Sequence, residues 1–267
     1  MIRKPIVAGQ FYPYEPDVLR DYMEEYIPKG LKKTEVIGIM VPHAGYVFCG
    51  KVAGEVYGRI IIPDTAIIIG PNHTGMGDAF AVMNKGSWLT PFGEVPINEE
   101  LADLILKEER LFTIDEYAHR FEHSIEVQLP FLQYLKKDFS FVPIVLAHTL
   151  YSKCELLGNG LARAIKSYGK PVLIIASSDM THYESHEIAK KKDKLAIDKI
   201  LSLNPNDLYD IVIAEHITMC GVIPTTVMLI AAIALGAKKA ELINYATSGD
   251  ITGDLNQVVG YAGIIVK

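Results

Sequence analysis

Cysteine is scarce in this 267-residue chain: there are three, Cys49, Cys154 and Cys220, with no CxxC pair and an odd total. That excludes a disulfide framework and points to a reducing compartment. Long apolar runs are missing too. The longest, Val222 to Ala237, is shorter than a bilayer span and carries Pro224, Thr225 and Thr226, so no membrane-crossing helix is expected. The first residues, Met1-Ile-Arg-Lys-Pro-Ile6, lack the apolar core of a secretion signal. Positive charge is outnumbered: 26 Lys and Arg against 32 Asp and Glu leave a net charge of −6. No basic cluster offsets it, and Lys190 to Lys194, with Asp193 inside, reads as the solvated face of a helix. Neither nucleic acid nor an anionic membrane is therefore an expected partner. These absences describe a soluble, cytoplasmic protein without repeats or low-complexity tracts.

What is present is an alternation of apolar strands and helices. Val36 to Val41, Thr65 to Gly70, Phe139 to Ala147 and Pro171 to Ala176 are continuous apolar runs of buried-strand length. Helices are expected at Pro16 to about Tyr26, Gly50 to Gly58, Asn98 to about Glu109, Glu122 to Leu135, Ser152 to Tyr168, Ser185 to Leu203, Asn206 to His216 and Ile223 to Leu235. Gly77 to Val95 reads as an antiparallel excursion, with Phe80 to Met83 as strand and Ser87 to Gly93 as turn. Two strands, Ala240 to Ala246 and Val258 to Val266, close the chain around a turn at Thr247 to Asp254. The pattern predicts an α/β fold in which residues 1–267 form a single three-layer α/β/α domain around a mainly parallel, mixed sheet.

The chemistry-bearing residues sit where these strands end. Pro42 stops the first strand, and His43-Ala44-Gly45 follows. The second strand runs into Pro71-Asn72-His73, and the third into Ser177-Ser-Asp179-Met-Thr-His182. Parallel strands would bring all of these to the sheet edge where open α/β folds bind ligands. Cys220 stands at the start of a helix, a position that favours a thiolate. Two imidazoles and a thiolate suit iron(II), copper or zinc, with positions left open as in catalytic sites. Asp179 and His182 would orient ligands or handle protons. Glu122, His123 and Glu126 are expected as polar lining. A competing motif, His119-Arg-Phe-Glu122-His123, fits a zinc-peptidase pattern, and it would make the protein a metal-dependent hydrolase.

Six ordered motifs carry a resemblance: Ala8-Gly-Gln-Phe-Tyr-Pro13, Pro42-His-Ala-Gly-Tyr46, Gly70-Pro-Asn-His73, Glu122-His-Ser-Ile-Glu126, Ser177-Ser-Asp-Met-Thr-His182 and Cys220-Gly221. Together they resemble the Memo family, named for an animal mediator of receptor-driven cell motility, across essentially the whole chain. The resemblance implies a fold similar to the class III extradiol dioxygenases, which use non-haem iron(II). It places the metal ligands on His43, His73 and Cys220, with Asp179 and His182 close by and Tyr46, Asn72, Glu122 and His123 as pocket lining. A thiolate in place of a carboxylate departs from those dioxygenases, so ring cleavage does not carry over. Iron- or copper-linked redox chemistry on an unidentified small molecule is the first functional expectation. A non-catalytic adaptor holding a peptide or partner in the same pocket is the second.

Overall fold

The computed structural model describes residues 1–267. Its strands are β1 (Ile2–Arg3), β2 (Gly38–Val41), β3 (Thr65–Pro71), β4 (Phe80–Val82), β5 (Ser87–Thr90), β6 (Gly93–Pro96), β7 (Thr113–Ile114), β8 (Ser140–Leu146), β9 (Leu173–Ser177), β10 (His182–Glu184), β11 (Ala240–Thr247) and β12 (Val258–Val266). Its helices are α1 (Pro16–Tyr26), α2 (Tyr46–Tyr57), α3 (Glu99–Glu108), α4 (Leu129–Leu135), α5 (Tyr151–Tyr168), α6 (His186–Leu201), α7 (Pro205–Ala214), α8 (Val222–Ala234) and the single turn α9 (Gly249–Thr252). No helix is long and apolar enough to cross a membrane.

The main sheet follows the order β10-β12-β2-β9-β3-β8-β4-β7, with β11 also paired to β12. Its centre, β2-β9-β3-β8, is parallel, while β12 and β4 flank it antiparallel. Side chains alternate between two cores, as the pleat requires. Met40, Ile67, Ile69, Ile144 and Ile174 face one side, where α3, α5, α6, α7 and α8 pack. Ile39, Val41, Ile68, Val145 and Ile175 face the other, covered by α1, α2, α4 and Trp88 of β5. This is the expected three-layer α/β/α arrangement with a mixed sheet.

Local signals account for most boundaries. Pro16 starts α1, and the Asn98 side chain accepts from the Leu101 N–H at 2.9 Å to cap α3. Three expectations need correction. The helix read over Glu122 to Leu135 begins only at Leu129, with Pro130 in its first turn; before it lie the 3₁₀ turns Tyr117–His119 and Glu126–Gln128. Ser87 to Thr90 is a strand of a separate small sheet, β1-β5-β6, not a turn. Asp193 is buried, accepting from the Thr181 N–H at 2.9 Å and the Tyr245 hydroxyl at 2.7 Å. The Thr247 to Asp254 segment is the structural turn expected, Asp250 accepting from the Thr247 N–H.

Gly54 lets α1 and α2 touch: a Cβ there would collide with the Tyr26 carbonyl. Backbone cannot swing aside as a side-chain tip can, so Gly54→Ala is expected to destabilise the protein by about 1–3 kcal/mol. Urea unfolding measures this, and an unchanged midpoint would show that the two helices separate without strain.

Candidate metal centre

The sheet register builds the site. β2 stops at Val41, and β9 lies beside it with Val41 opposite Ser177. Two residues beyond that pair, His43 and Asp179 meet: the Asp179 carboxylate accepts from the His43 backbone N–H at 2.7 Å. β3, on the far side of β9, delivers His73 to the same edge. The loop before α4 adds His123. Ring centroids are 5.1 Å apart for His43 and His73, 5.5 Å for His43 and His123, and 4.8 Å for the stacked His73 and His123. The nitrogen atoms these three rings offer lie within 4.8 Å of one another. His43 is buried, His123 half-buried and His73 exposed. Cys220 Sγ stands 3.2 Å from His43 Nε2.

Hydrogen bonds decide which ring nitrogens are free. Ser177 Oγ has one hydrogen, and it goes to the Ser124 carbonyl at 2.6 Å, which can only accept. Gln128 Nε2 donates to Ser177 Oγ and to the Pro42 carbonyl, both at 2.9 Å, while its Oε1 accepts from the Tyr57 hydroxyl at 3.0 Å. The contact from Ser177 Oγ to His43 Nδ1, 3.1 Å, is therefore donated by the imidazole. His43 carries its proton on Nδ1, and the Nε2 lone pair faces Cys220. His73 follows the same logic with a stronger partner. Its Nδ1 lies 2.9 Å from Glu122, whose carboxylate also accepts the backbone N–H groups of His73 at 2.8 Å and Ser124 at 2.9 Å. The Nε2 of His73 is left free.

Burial alone would raise the Glu122 pKa, but the hydrogen bond and charge of His73 outweigh it and carry it down to about 2. Burial likewise works against charge on His73, and Glu122 outweighs that, so the His73 pKa is raised. Burial lowers those of His43 and His123. Asp179 is pushed up to about 6 by burial.

The remaining expected residues are placed as follows. Cys220 precedes the Gly221 cap of α8, but burial and the Asp179 charge push its thiol up, so the metal-free side chain is a thiol and not the thiolate its helix-start position suggested. Gly221 is needed there, since a Cβ would strike Ser178. His182 does not pair with Asp179: its Nδ1 meets the Thr218 carbonyl at 2.9 Å. Tyr46 is buried, with its hydroxyl on the Val127 carbonyl at 2.6 Å and its ring between Tyr12 and Phe131. The Asn72 amide is committed to its own loop through Met76, Thr74 and Gly75. His119 is turned away, with a main-chain carbonyl, of Asp115 and Pro143, in front of each ring nitrogen. It is fully buried and does not join His123 in the histidine cluster, against the expectation of a His119/His123 peptidase centre. His123, expected as lining or as a ligand of the His119 motif, stands with His43 and His73, while Ser177, Gln128 and Arg3 carry roles their sequence positions did not announce.

The Memo-like protein family model matches residues 3–265. The chain belongs to the Memo family. It is 43% identical over 282 residues to a MEMO1 family protein of Methanopyrus kandleri, covering 100% of this chain and 99% of that one. To a MEMO1 family protein of Aquifex aeolicus it is 44% identical over 268 residues, covering 99% and 98%. Among solved structures, an uncharacterized protein from Escherichia coli K12 shares the fold, with a TM-score of 0.60 at 13% identity over 86% of this chain and 100% of that one.

In this Memo family chain the imidazole nitrogens of His43, His73 and His123 are close enough together to hold a metal ion. The Cys220 sulfur stands beside His43, and Glu122 is committed to His73 and Ser124.

Glu122→Gln in the metal-free protein is expected to cost about 3 kcal/mol of stability at pH 7. A carboxylate whose folded pKa is depressed stabilises the fold above its unfolded pKa, about 4.5 for Glu122. The difference between wild type and variant should therefore fade as pH falls from there toward about 2. Urea unfolding across pH 2–7 tests this, and a pH-independent difference would contradict the pairing. For His43, ¹⁵N spectra of the metal-free protein should show protonated Nδ1 and bare Nε2, with Ser177→Ala admitting the other tautomer.

Proposed function

We propose that this protein holds a redox-active transition metal, iron(II) or copper, on His43, His73 and Cys220, and acts as an oxidoreductase-like protein on a small-molecule substrate. The observation that supports it most is the cluster of His43, His73 and His123, whose ring nitrogens lie within 4.8 Å of one another, with the Cys220 sulfur 3.2 Å from His43 Nε2. His123 stands in reach as a further nitrogen donor. Zinc suits the same donors. A bound iron or copper ion would supply electron transfer and open coordination positions for a small ligand.

The chain's own residues supply the rest. Glu122 keeps the proton on His73 Nδ1 and raises the basicity of the ring, as carboxylate partners of ligating histidines do. Ser177 does the same for His43 without charge. Asp179 anchors the His43 backbone, and its raised pKa lets it hold or release a proton near neutral pH. His182 is held by the Thr218 carbonyl through Nδ1, which leaves Nε2 without a protein partner. A sulfur ligand gives the centre more electron density than a two-His-one-carboxylate site and makes Cys220 itself oxidisable.

Metal analysis of protein purified without oxygen tests the ligand set. Wild type should retain about one equivalent of iron or copper, and His43→Ala and Cys220→Ser should each weaken binding at least tenfold. Stoichiometric metal in both variants would remove the proposed ligands.

A further inference from the structure

The Ala8-Gly-Gln-Phe-Tyr-Pro13 motif contributes no donor, yet it lies against the centre. Arg3 Nε donates to the His119 carbonyl at 2.8 Å, Nη2 to the Glu122 carbonyl at 2.7 Å, and Nη1 to Glu126 Oε2 at 2.7 Å. Its guanidinium lies 3.9 Å from the Trp88 ring centroid. Glu126 returns the contact to the same N-terminal segment: its carboxylate accepts from the Ile6 N–H at 3.0 Å, the Val7 N–H at 3.1 Å and the Tyr12 hydroxyl at 2.7 Å. Phe11 sets its ring edge-on to His123 at 4.9 Å, and its carbonyl accepts from the Tyr46 N–H at 2.8 Å, where α2 begins.

The stretch held this way, His119 to Glu126, has no helix or strand ladder beyond the ends of two 3₁₀ turns. Its carbonyls at His119 and Glu122 find their partners on Arg3. A segment with so few bonds of its own is placed by what grips it. Arg3 suits the task because a planar fork can reach three acceptors at once, which an ammonium cannot do in fixed geometry.

We propose that residues 3–12 are a positioning clamp for the metal centre: Arg3 and Glu126 fix the loop bearing Glu122 and His123, and Phe11 fixes the His123 ring. The clamp rests on the metal-binding reading above for its affinity readout alone. Arg3, Glu126 and Phe11 touch no reacting atom, so they act through His123 and Glu122.

Loss of one member of a buried ion pair can unfold a protein, so the test uses milder changes. Arg3→Lys keeps the charge but not the fork, and Phe11→Leu leaves the ion pair intact. In the metal-free protein, both should stay folded by circular dichroism and shift the ring resonances of His123 while leaving those of His43 in place. Titrated with Co(II), both should bind about tenfold more weakly than wild type. In a His123→Ala background, Phe11→Leu should change Co(II) affinity by less than about twofold, because the side chain it acts through is gone. Unmoved His123 resonances in folded Arg3→Lys and Phe11→Leu proteins would overturn the clamp. An undiminished loss of affinity for Phe11→Leu in the His123→Ala background would overturn it too. Failure of wild type to bind Co(II) would overturn the metal-binding reading, and the resonances of the metal-free proteins would still decide the clamp.

Discussion

The parallel register of β2, β9 and β3 is the constraint on which the rest of the molecule depends. Each strand is buried on both faces, with Ile39 and Val41 in one core and Met40 in the other. A slip of one residue would send every side chain to the wrong face. The packing of two cores thus sets, to a single residue, where each strand ends. Because Val41 sits opposite Ser177, His43 and Asp179 must meet beyond the edge. Hydrophobic burial far from the site is what aims its donors.

At that edge, the donors differ in what stands behind them. His43 rests on a neutral, fully paired set of Ser177, Gln128 and Tyr57, whereas His73 rests on an ionised carboxylate. Buried polar groups stay rigid when every donor and acceptor is used, and the Gln128 amide is used at both ends. The two imidazoles are consequently unequal in basicity and in exposure. Such inequality suits a centre that keeps one side closed and opens the other to a ligand.

Much of this was legible in the chain because the signals are local. Pro42 and Pro71 mark strand ends, apolar runs mark buried strands, and repetition of histidine after them marks the edge. The fold class and the approach of His43, His73 and Asp179 follow from those features alone. His123 was legible as lining or as a partner of His119 but not as a neighbour of His43 and His73, because its loop is held by Arg3, more than a hundred residues earlier in the chain, and no periodicity records that contact. The same long-range grip explains why Glu122 to Gln128 is not helix despite its composition: Glu122 and Glu126 are drawn to His73 and Arg3 in place of helical geometry. The state of the Cys220 thiol was misjudged for a different reason. Helix position was visible, but burial and the neighbouring Asp179 charge, which oppose ionisation, were not.

X-ray absorption at the metal edge of protein loaded without oxygen tests the central claim most directly. A shell of imidazole nitrogens at about 2.0–2.1 Å with one sulfur at about 2.3 Å is the result expected of His43, His73 and Cys220. A shell of oxygen scatterers without sulfur would contradict it.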